Sequence, residues 1–227
     1  MTLSFNPEEL PVLAVDGHLP AVKASSLSVS ALRERFATPP VWAPEIKVER
    51  RFVDREPVHA SVLMPLVRRD EITVLLTQRT DHLTNHPGQI SFPGGRAEPH
   101  DDDTAATALR EAEEEIGLDA ARVEVLGSMP TYTTGTGFIV TPIVGLVQPD
   151  FVLRVDPFEV AAVFEVPLAF LMDPANHRRH AIEVAGARRE FLSMPWDGTD
   201  EEGRPQHFFI WGATAAMLRN LYCLLSA

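Results

Sequence analysis

Acidic charge in this chain is concentrated rather than spread. Between Arg96 and Asp119 stand nine acids and two bases, a local balance of −7 within a net charge of −12 for all 227 residues. Asp103 is suited to cap a helix and Gly117 to end one, so the residues between them are expected to form a helix about 20 Å long. At about 100° per residue, Ala105, Leu109, Ala112 and Ile116 fall in one narrow arc, the stripe expected to be buried. With Glu111 at zero, Glu115 lies at about 40° and Glu114 at about −60°, whereas Glu113 lies at about 200°. Three carboxylates therefore share one edge of the helix beside the stripe. Like charges at this spacing destabilise a bare helix by roughly a few tenths of a kcal/mol per pair. Two readings are open: a solvated acidic face, or hard oxygen ligands gathered for Mg²⁺ or Mn²⁺. Arg110, placed to orient Glu114 at i+4, and the unencumbered backbone of Phe92-Pro93-Gly94-Gly95 near the helix start both bear on the second reading. They leave the choice even.

The rest of the chain narrows the function classes. With 45% hydrophobic and 23% charged residues, there is ample material for a buried core. The net negative charge opposes a sequence-independent grip on nucleic acid, and an anionic substrate would need cations between it and the protein. Glu159 and Glu165 interrupt the richest apolar stretch, so no membrane span is expected. The first ten residues carry Glu8 and Glu9 and no basic cluster, so no signal peptide is expected. The single Cys223 suits a reducing compartment, and a cytoplasmic location is expected.

Residues 1–45 read as an N-terminal arm with a short helix over Ala31–Ala37, capped by Ser30, and a linker at Pro39, Pro40 and Pro44. From His59 the pattern turns to strands. Ala60–Val67 and Ile72–Thr77 read as a hairpin, Gln89–Phe92 as a short strand, and Val123–Met129 and Phe138–Val147 as strands flanking a Thr/Gly-rich loop. Val160–Val166 reads as a strand, Ala181–Ala185 with Glu190–Met194 as a weak hairpin, Phe208–Trp211 as a strand and Ala213–Leu225 as a helix. The class is α/β or α+β with a mixed sheet.

Gly95 followed by Arg110-Glu111-Ala112-Glu113-Glu114-Glu115-Ile116-Gly117-Leu118 resembles the Nudix box: Gly, five residues, Glu, seven residues, then Arg-Glu-U-x-Glu-Glu-x-Gly-U with U aliphatic. The second half matches at every fixed position. Counting back from Arg110, the glycine slot falls on Arg96 and the acid slot on Asp102, which a one-residue insertion in the loop explains. Just upstream, Leu75-Leu76-Thr77, Arg79, Thr80, Leu83, His86, Gly88, Ile90 and Phe92-Pro93-Gly94-Gly95 resemble the signature of the coenzyme A pyrophosphatase branch. The resemblance covers roughly residues 57 to 227, and the chain divides into the arm, 1–45, and a Nudix hydrolase domain, 46–227.

The resemblance implies an α/β/α sandwich with a mixed β-sheet that uses Mg²⁺ or Mn²⁺ to split coenzyme A, or an acyl form of it, into 3′,5′-ADP and 4′-phosphopantetheine. It implies Glu111 and Glu115 as direct metal ligands, Glu114 as ligand to a second ion or to its water, and the Gly95 carbonyl as a further ligand. Arg110 orients the carboxylates. Glu114 and Glu159 both stand as the general base. Arg79 and His86 are expected either to contact substrate, the 3′-phosphate in particular, or to scaffold their loop. Gly135-Thr136-Gly137 reads first as a turn, and Phe209, Trp211 and Cys223 as core. The arm is expected to serve homodimerisation or to cover a sheet edge. Other readings are a Nudix pyrophosphatase for ADP-ribose or NADH, and a ligand-sensing protein that kept the fold without turnover.

Overall fold

The computed structural model describes residues 5–49, 56–83, 86–184 and 187–227. The N-terminal half holds β1 (Ala14–Val15), α1 (Val29–Ala37), β2 (Val58–Val67), β3 (Thr73–Arg79), β4 (Ile90–Ser91), β5 (Gly94–Arg96) and α2 (Thr104–Ile116). The remainder holds β6 (Val123–Ser128), β7 (Tyr132–Thr133), β8 (Phe138–Val147), β9 (Val160–Pro167), α3 (Leu168–Leu171), β10 (Arg178–Val184), β11 (Ala187–Thr199), β12 (Pro205–Trp211) and α4 (Gly212–Ser226).

Strand β2 organises the larger sheet. It pairs in parallel with β8 along its whole length, from Val58 opposite Phe138 to Val67 opposite Val147. A parallel pair needs a long crossover, and α2 lies within it. On its other edge β2 meets β3 only where Leu66 faces Val74 and Val67 faces Thr73. β3 pairs with β9 along its whole length, from Thr73 opposite Pro167; beyond Val74 it meets β4 instead of β2, and β5 takes its place beside Ala60, Ser61 and Val62. The expected hairpin therefore exists only at its turn. Its two strands splay apart, and Pro93-Gly94-Gly95 enters the fork, where the Pro93 carbonyl accepts from Leu63 N at 2.9 Å.

Both faces of this mixed sheet are covered, which is why β2 and β8 are apolar with little alternation. Leu63 and Val67 pack under α2 with Ala108, Ala112 and Ile116. Met64 and Leu66 face the opposite way, into a larger core with Leu32 of α1, Leu171 of α3 and Met217, Leu218 and Leu221 of α4. The architecture is thus α/β, helices on both sides of a mixed sheet.

A second sheet, antiparallel in the order β1-β10-β11-β12, is larger than the weak hairpin that was expected. Ala185, an end of that hairpin, lies outside the described residues. Along β12 the period of two sends Phe208 and Ile210 into the core, while Phe209 and Trp211 point the other way and are only half-buried. Both had been expected in the core; the strand's alternation corrects that.

Residues 5–45 are built into this body. Ser28, not Ser30, caps α1: it has extended backbone and its Oγ accepts from Ala31 N, whereas Ser30 is already inside the helix. Leu27 and Leu32 are buried in the larger core. β1 pairs with β10 and so covers its edge. Beyond the prolines, Ile46 and Asn220 exchange two hydrogen bonds, of 3.1 and 2.6 Å.

Candidate active site

Helix α2 has the ends its sequence calls for. The Asp103 carboxylate accepts from Ala106 N at 2.8 Å, and Gly117 ends the helix at φ 69°. Side chains other than glycine rarely adopt that conformation, and a Cβ at Gly117 would also lie 2.9 Å from Arg154 N. The segment beyond is tied back to the helix, with Arg154 N donating to Ile116 O at 2.8 Å and Asp156 N to Glu115 O at 2.9 Å. This return delivers Glu159 to the carboxylate edge of α2, where its charge acts on both Glu111 and Glu115.

The buried face of α2 is rotated from the expected stripe towards that edge. Thr107, Ala108, Ala112, Glu115 and Ile116 are buried, while Ala105 and Leu109 are only partly so. The cause is the strand it rests on: a Cβ on Gly95 would lie 2.4 Å from the Glu111 carboxylate, so only glycine lets the helix seat its acids there. Gly94 is held more tightly still, at φ 156° with a Cβ position 2.4 Å from Ser61 O and 2.6 Å from Val62 Cα.

Glu115 consequently sits inside the protein, 6% exposed. Gly94 N donates to its Oε2 at 3.2 Å, and Arg79 Nη1 stands 3.9 Å from its Oε1. Burial pushes its carboxyl up to about 8; the Gly94 N–H and the Arg79 charge oppose this, while the charges of Glu159 and Glu111 add to it. Glu111 is raised as well, first by burial, against the pull of Arg110. Glu114 is mostly exposed, and Glu113 points to solvent.

Arg110 is the hub of the outer part of the cluster. Its Nη1 donates to Glu111 Oε1 at 3.0 Å and to Glu114 Oε2 at 2.9 Å, and its Nη2 to Arg96 O at 3.0 Å. On the far side Nε and Nη2 hold Asp101 at 2.9 and 3.1 Å. That guanidinium, with the Glu98 N–H, keeps the Asp101 carboxyl well below the usual carboxylate range. Asp101 rather than Asp102 therefore fills the acid slot of the box; Asp102 is exposed. Passing over five residues from Gly95 finds Asp101, and the inserted residue lies between it and Arg110. The forward count was the signal available in the sequence.

Of the two expected substrate contacts, Arg79 lies at the metal-type carboxylates, its Nε buried without a hydrogen-bond partner. His86 sits at φ 55° with Nδ1 2.8 Å from Gln89 Oε1. Burial lowers its pKa, so near neutrality its ring is an uncharged hydrogen-bonding group and not a cation for a phosphate. Gly137, at φ 86° with its N–H donating to Thr134 O, closes a turn, and Gly135 N donates to Glu49 Oε2 at 2.8 Å.

The NUDIX domain family matches residues 57–190, which include the fork, all of α2 and Glu159. The chain belongs to the Nudix hydrolase family. A Nudix hydrolase NudL of Yersinia enterocolitica is 44% identical over 164 residues, covering 72% of this chain and 79% of that one. One from Shigella flexneri serotype 5b is 41% identical over 172 residues, 74% of this chain and 85% of its own. Among solved structures, a C. elegans Ap4A hydrolase binary complex aligns with a TM-score of 0.42 at 18% identity, over 48% of this chain and 80% of that one.

The residues of this Nudix site suit a divalent cation in their chemistry. The donors are hard carboxylate oxygens, and two of them, on Glu111 and Glu115, are held at raised pKa because burial outweighs the positive charge supplied by Arg79 and Arg110. Among the described residues no three His, Cys, Asp or Glu side chains already converge on one point; the carboxylates are laid along one edge of α2, each with an arginine beside it. No helix among them is long and apolar enough to cross a membrane.

Proposed function

We propose that this Nudix hydrolase splits the diphosphate of coenzyme A, or of an acyl-coenzyme A, into 3′,5′-ADP and 4′-phosphopantetheine, with Mg²⁺ or Mn²⁺ held by Glu111, Glu115 and Glu114 and by the Gly95 carbonyl. The observation that carries the reading is the meeting of Arg79 and Glu115 at 3.9 Å, which joins the upstream signature to the acidic helix in one site. When bound, the cation screens the two phosphoryl charges, polarises the phosphoryl oxygen and lowers the pKa of water.

The chain's own residues supply the rest. Arg110 fixes the Glu111 and Glu114 carboxylates from one side while Asp101 fixes Arg110. Arg79 presents a guanidinium, suited to bidentate contact with phosphate oxygens, next to the most buried carboxylate. His86 contacts the substrate as a neutral hydrogen-bonding group. Glu159, and Glu114 as the alternative, accepts the proton of the attacking water. A cytoplasmic location accords with the single Cys223.

A panel of coenzyme A, dephospho-coenzyme A, ADP-ribose and NADH, incubated with Mg²⁺ or Mn²⁺ and read by product mass, tests the reading. Coenzyme A should be cut fastest. Preference for ADP-ribose or NADH would reassign the substrate within the same chemistry, and binding without any cleavage would make the protein a sensor.

A further inference from the structure

We propose that Phe158 and His82 form a stacking platform for the purine base of the nucleotide half of the substrate. Phe158 is one of the chain's few large exposed apolar side chains, with 64% of its surface open, and it directly precedes Glu159. Its ring stands against that of His82, also exposed, with centroids 4.7 Å apart and an interplanar angle of 59°. An exposed Phe gains little in water, and a pair of rings one residue from Glu159 and three from Arg79 offers what a flat heterocycle needs.

The pair is positioned rather than loose. Thr80 Oγ1 donates to Phe158 O at 2.8 Å and lies 3.5 Å from His82 Nε2, while Thr80 N donates to Glu159 O at 3.0 Å. Asp156 Oδ1 accepts from Phe158 N at 2.8 Å. Two neighbouring strands thus make the same move: β3 ends by sending Arg79 to Glu115 and, three residues on, His82 outwards. β9 is entered with Glu159 at the carboxylates and Phe158 outwards, and Arg79 pairs with Val160 in the register between them. The inward pair serves the diphosphate and the outward pair lies alongside it. The pantetheine arm is a flexible chain of amides and methylenes with no flat face, so the ligand suited to this surface is the base. This inference rests on the nucleoside diphosphate reading above.

The test uses the full chain, with AMP and ribose 5-phosphate as probes and binding followed by calorimetry. Phe158→Ala should weaken AMP binding on the order of tenfold and leave ribose 5-phosphate unchanged, because only the base is lost from the comparison. Phe158→Trp should restore AMP binding and report it by fluorescence quenching, and His82→Ala should weaken it by a smaller factor. Equal AMP binding by wild type, Phe158→Ala and Phe158→Leu would overturn the platform, as would an equal loss for both probes. The two readings fail separately. If no diphosphate is cleaved but AMP still responds to Phe158, the reaction assignment falls and the base site stands; if coenzyme A is cleaved with the same KM by Phe158→Ala, the platform falls and the hydrolase stands.

Discussion

Two clusters of arginine and carboxylate in this molecule use the same side chains to opposite ends. In the first, Arg179 grips Asp16 with two hydrogen bonds of 2.7 Å and reaches Glu45 at 2.8 Å. Arg219 completes it, at 2.6 Å from Glu45 and 3.2 Å from Asp16. Two cations meet two anions. Burial alone would raise the Asp16 and Glu45 carboxyls, but the arginines outweigh it and both are held below their ordinary values. In the second cluster Arg79 and Arg110 face Asp101, Glu111, Glu114, Glu115 and the nearby Glu159, and there burial wins at Glu111 and Glu115. A balanced cluster is finished as it stands and joins the N-terminal segment to β10 and α4. An unbalanced one leaves negative charge unmatched, as the proposed cation would require.

The largest expected effect tests the balanced cluster. Arg219→Met would take a buried guanidinium from the buried Asp16, leave that carboxylate and the more exposed Glu45 sharing one arginine, and remove the guanidinium lying 4.9 Å over the Tyr222 ring. Breaking a buried pair in this way costs about 3–5 kcal/mol. Urea unfolding should show that loss, while kcat of the folded fraction stays unchanged. A loss below about 1 kcal/mol would mean the cluster is not a structural lock.

The unbalanced cluster should answer in the opposite currency. Glu115→Gln is expected to lower kcat by at least about 10²-fold, roughly 2.7 kcal/mol of transition-state stabilisation, with little loss in urea stability. Glu113→Gln, on the solvent side of the same helix, should change kcat little. Comparable losses at the two positions would show that the buried face of α2 does not govern the chemistry.

The glycines of β5 sharpen the contrast within a single strand. At Gly94 an added Cβ meets the backbone of Ser61 and Val62, which cannot move aside, so Gly94→Ala should lose folded protein. At Gly95 it meets only the Glu111 carboxylate, the end of a flexible side chain. Gly95→Ala should therefore fold, with Mn²⁺ affinity reduced by about tenfold, as for loss of one orienting partner of a metal ligand. Calorimetric titration with Mn²⁺ on both variants checks this; undiminished affinity in Gly95→Ala would detach Glu111 from the metal site.

What the sequence disclosed follows the range of the interaction. Helix α2 was legible because its cap, its stop and its carboxylate spacing are all local, and β8 because a long, mostly apolar and β-branched run lies between turns. The rotation of α2 was not legible: it depends on Gly94 and Gly95 in a neighbouring strand. Asp101 and Asp102 differ by one residue in a loop of unfixed length; a count forward from Gly95 picks the first and a count back from Arg110 the second, and the bonds to Arg110 decide between them. The docking of residues 5–45 rests on partners such as Asp16 and Arg179, or Glu45 and Arg219, more than a hundred residues apart with no periodicity to betray them. A chain beginning at Val48 would lose Leu27, Leu32, Asp16 and Glu45 together, so this segment is needed for stability even though it supplies no group to the carboxylate cluster.

The smallest effect concerns acid. His177 is fully buried beside the balanced cluster; Arg219 Nη1 donates to its Nδ1 at 3.0 Å, and its Nε2 lies 2.8 Å from Leu171 O. The ring is therefore neutral with its proton on Nε2, and a second proton would point at a guanidinium. Burial above all, helped by the Arg219 charge, lowers its pKa, although the bond to the Leu171 carbonyl and the charges of Asp16 and Asp173 pull the other way. In the unfolded chain the same ring takes up a proton near pH 6.5. As pH falls through that value the unfolded state binds a proton the folded state refuses, so the contribution of this ring to stability declines from about pH 6.5 downwards. Asp16 and Glu45 act later: their depressed values stabilise the fold above about pH 4.5, and that contribution is lost as pH falls further, through their folded values. These two contributions are lost in succession as pH falls. Glu115, its carboxyl pushed up to about 8, and Glu111, raised as well, act the other way in both proteins, because the fold takes up their protons before the unfolded chain does. The His177 share is therefore read from the difference in urea midpoint between wild type and His177→Asn, which should shift in the variant's favour between pH 8 and pH 5. A difference that stays constant across this range would show that His177 titrates in the fold as it does in the unfolded chain and that the cluster is less closed than its bonds imply.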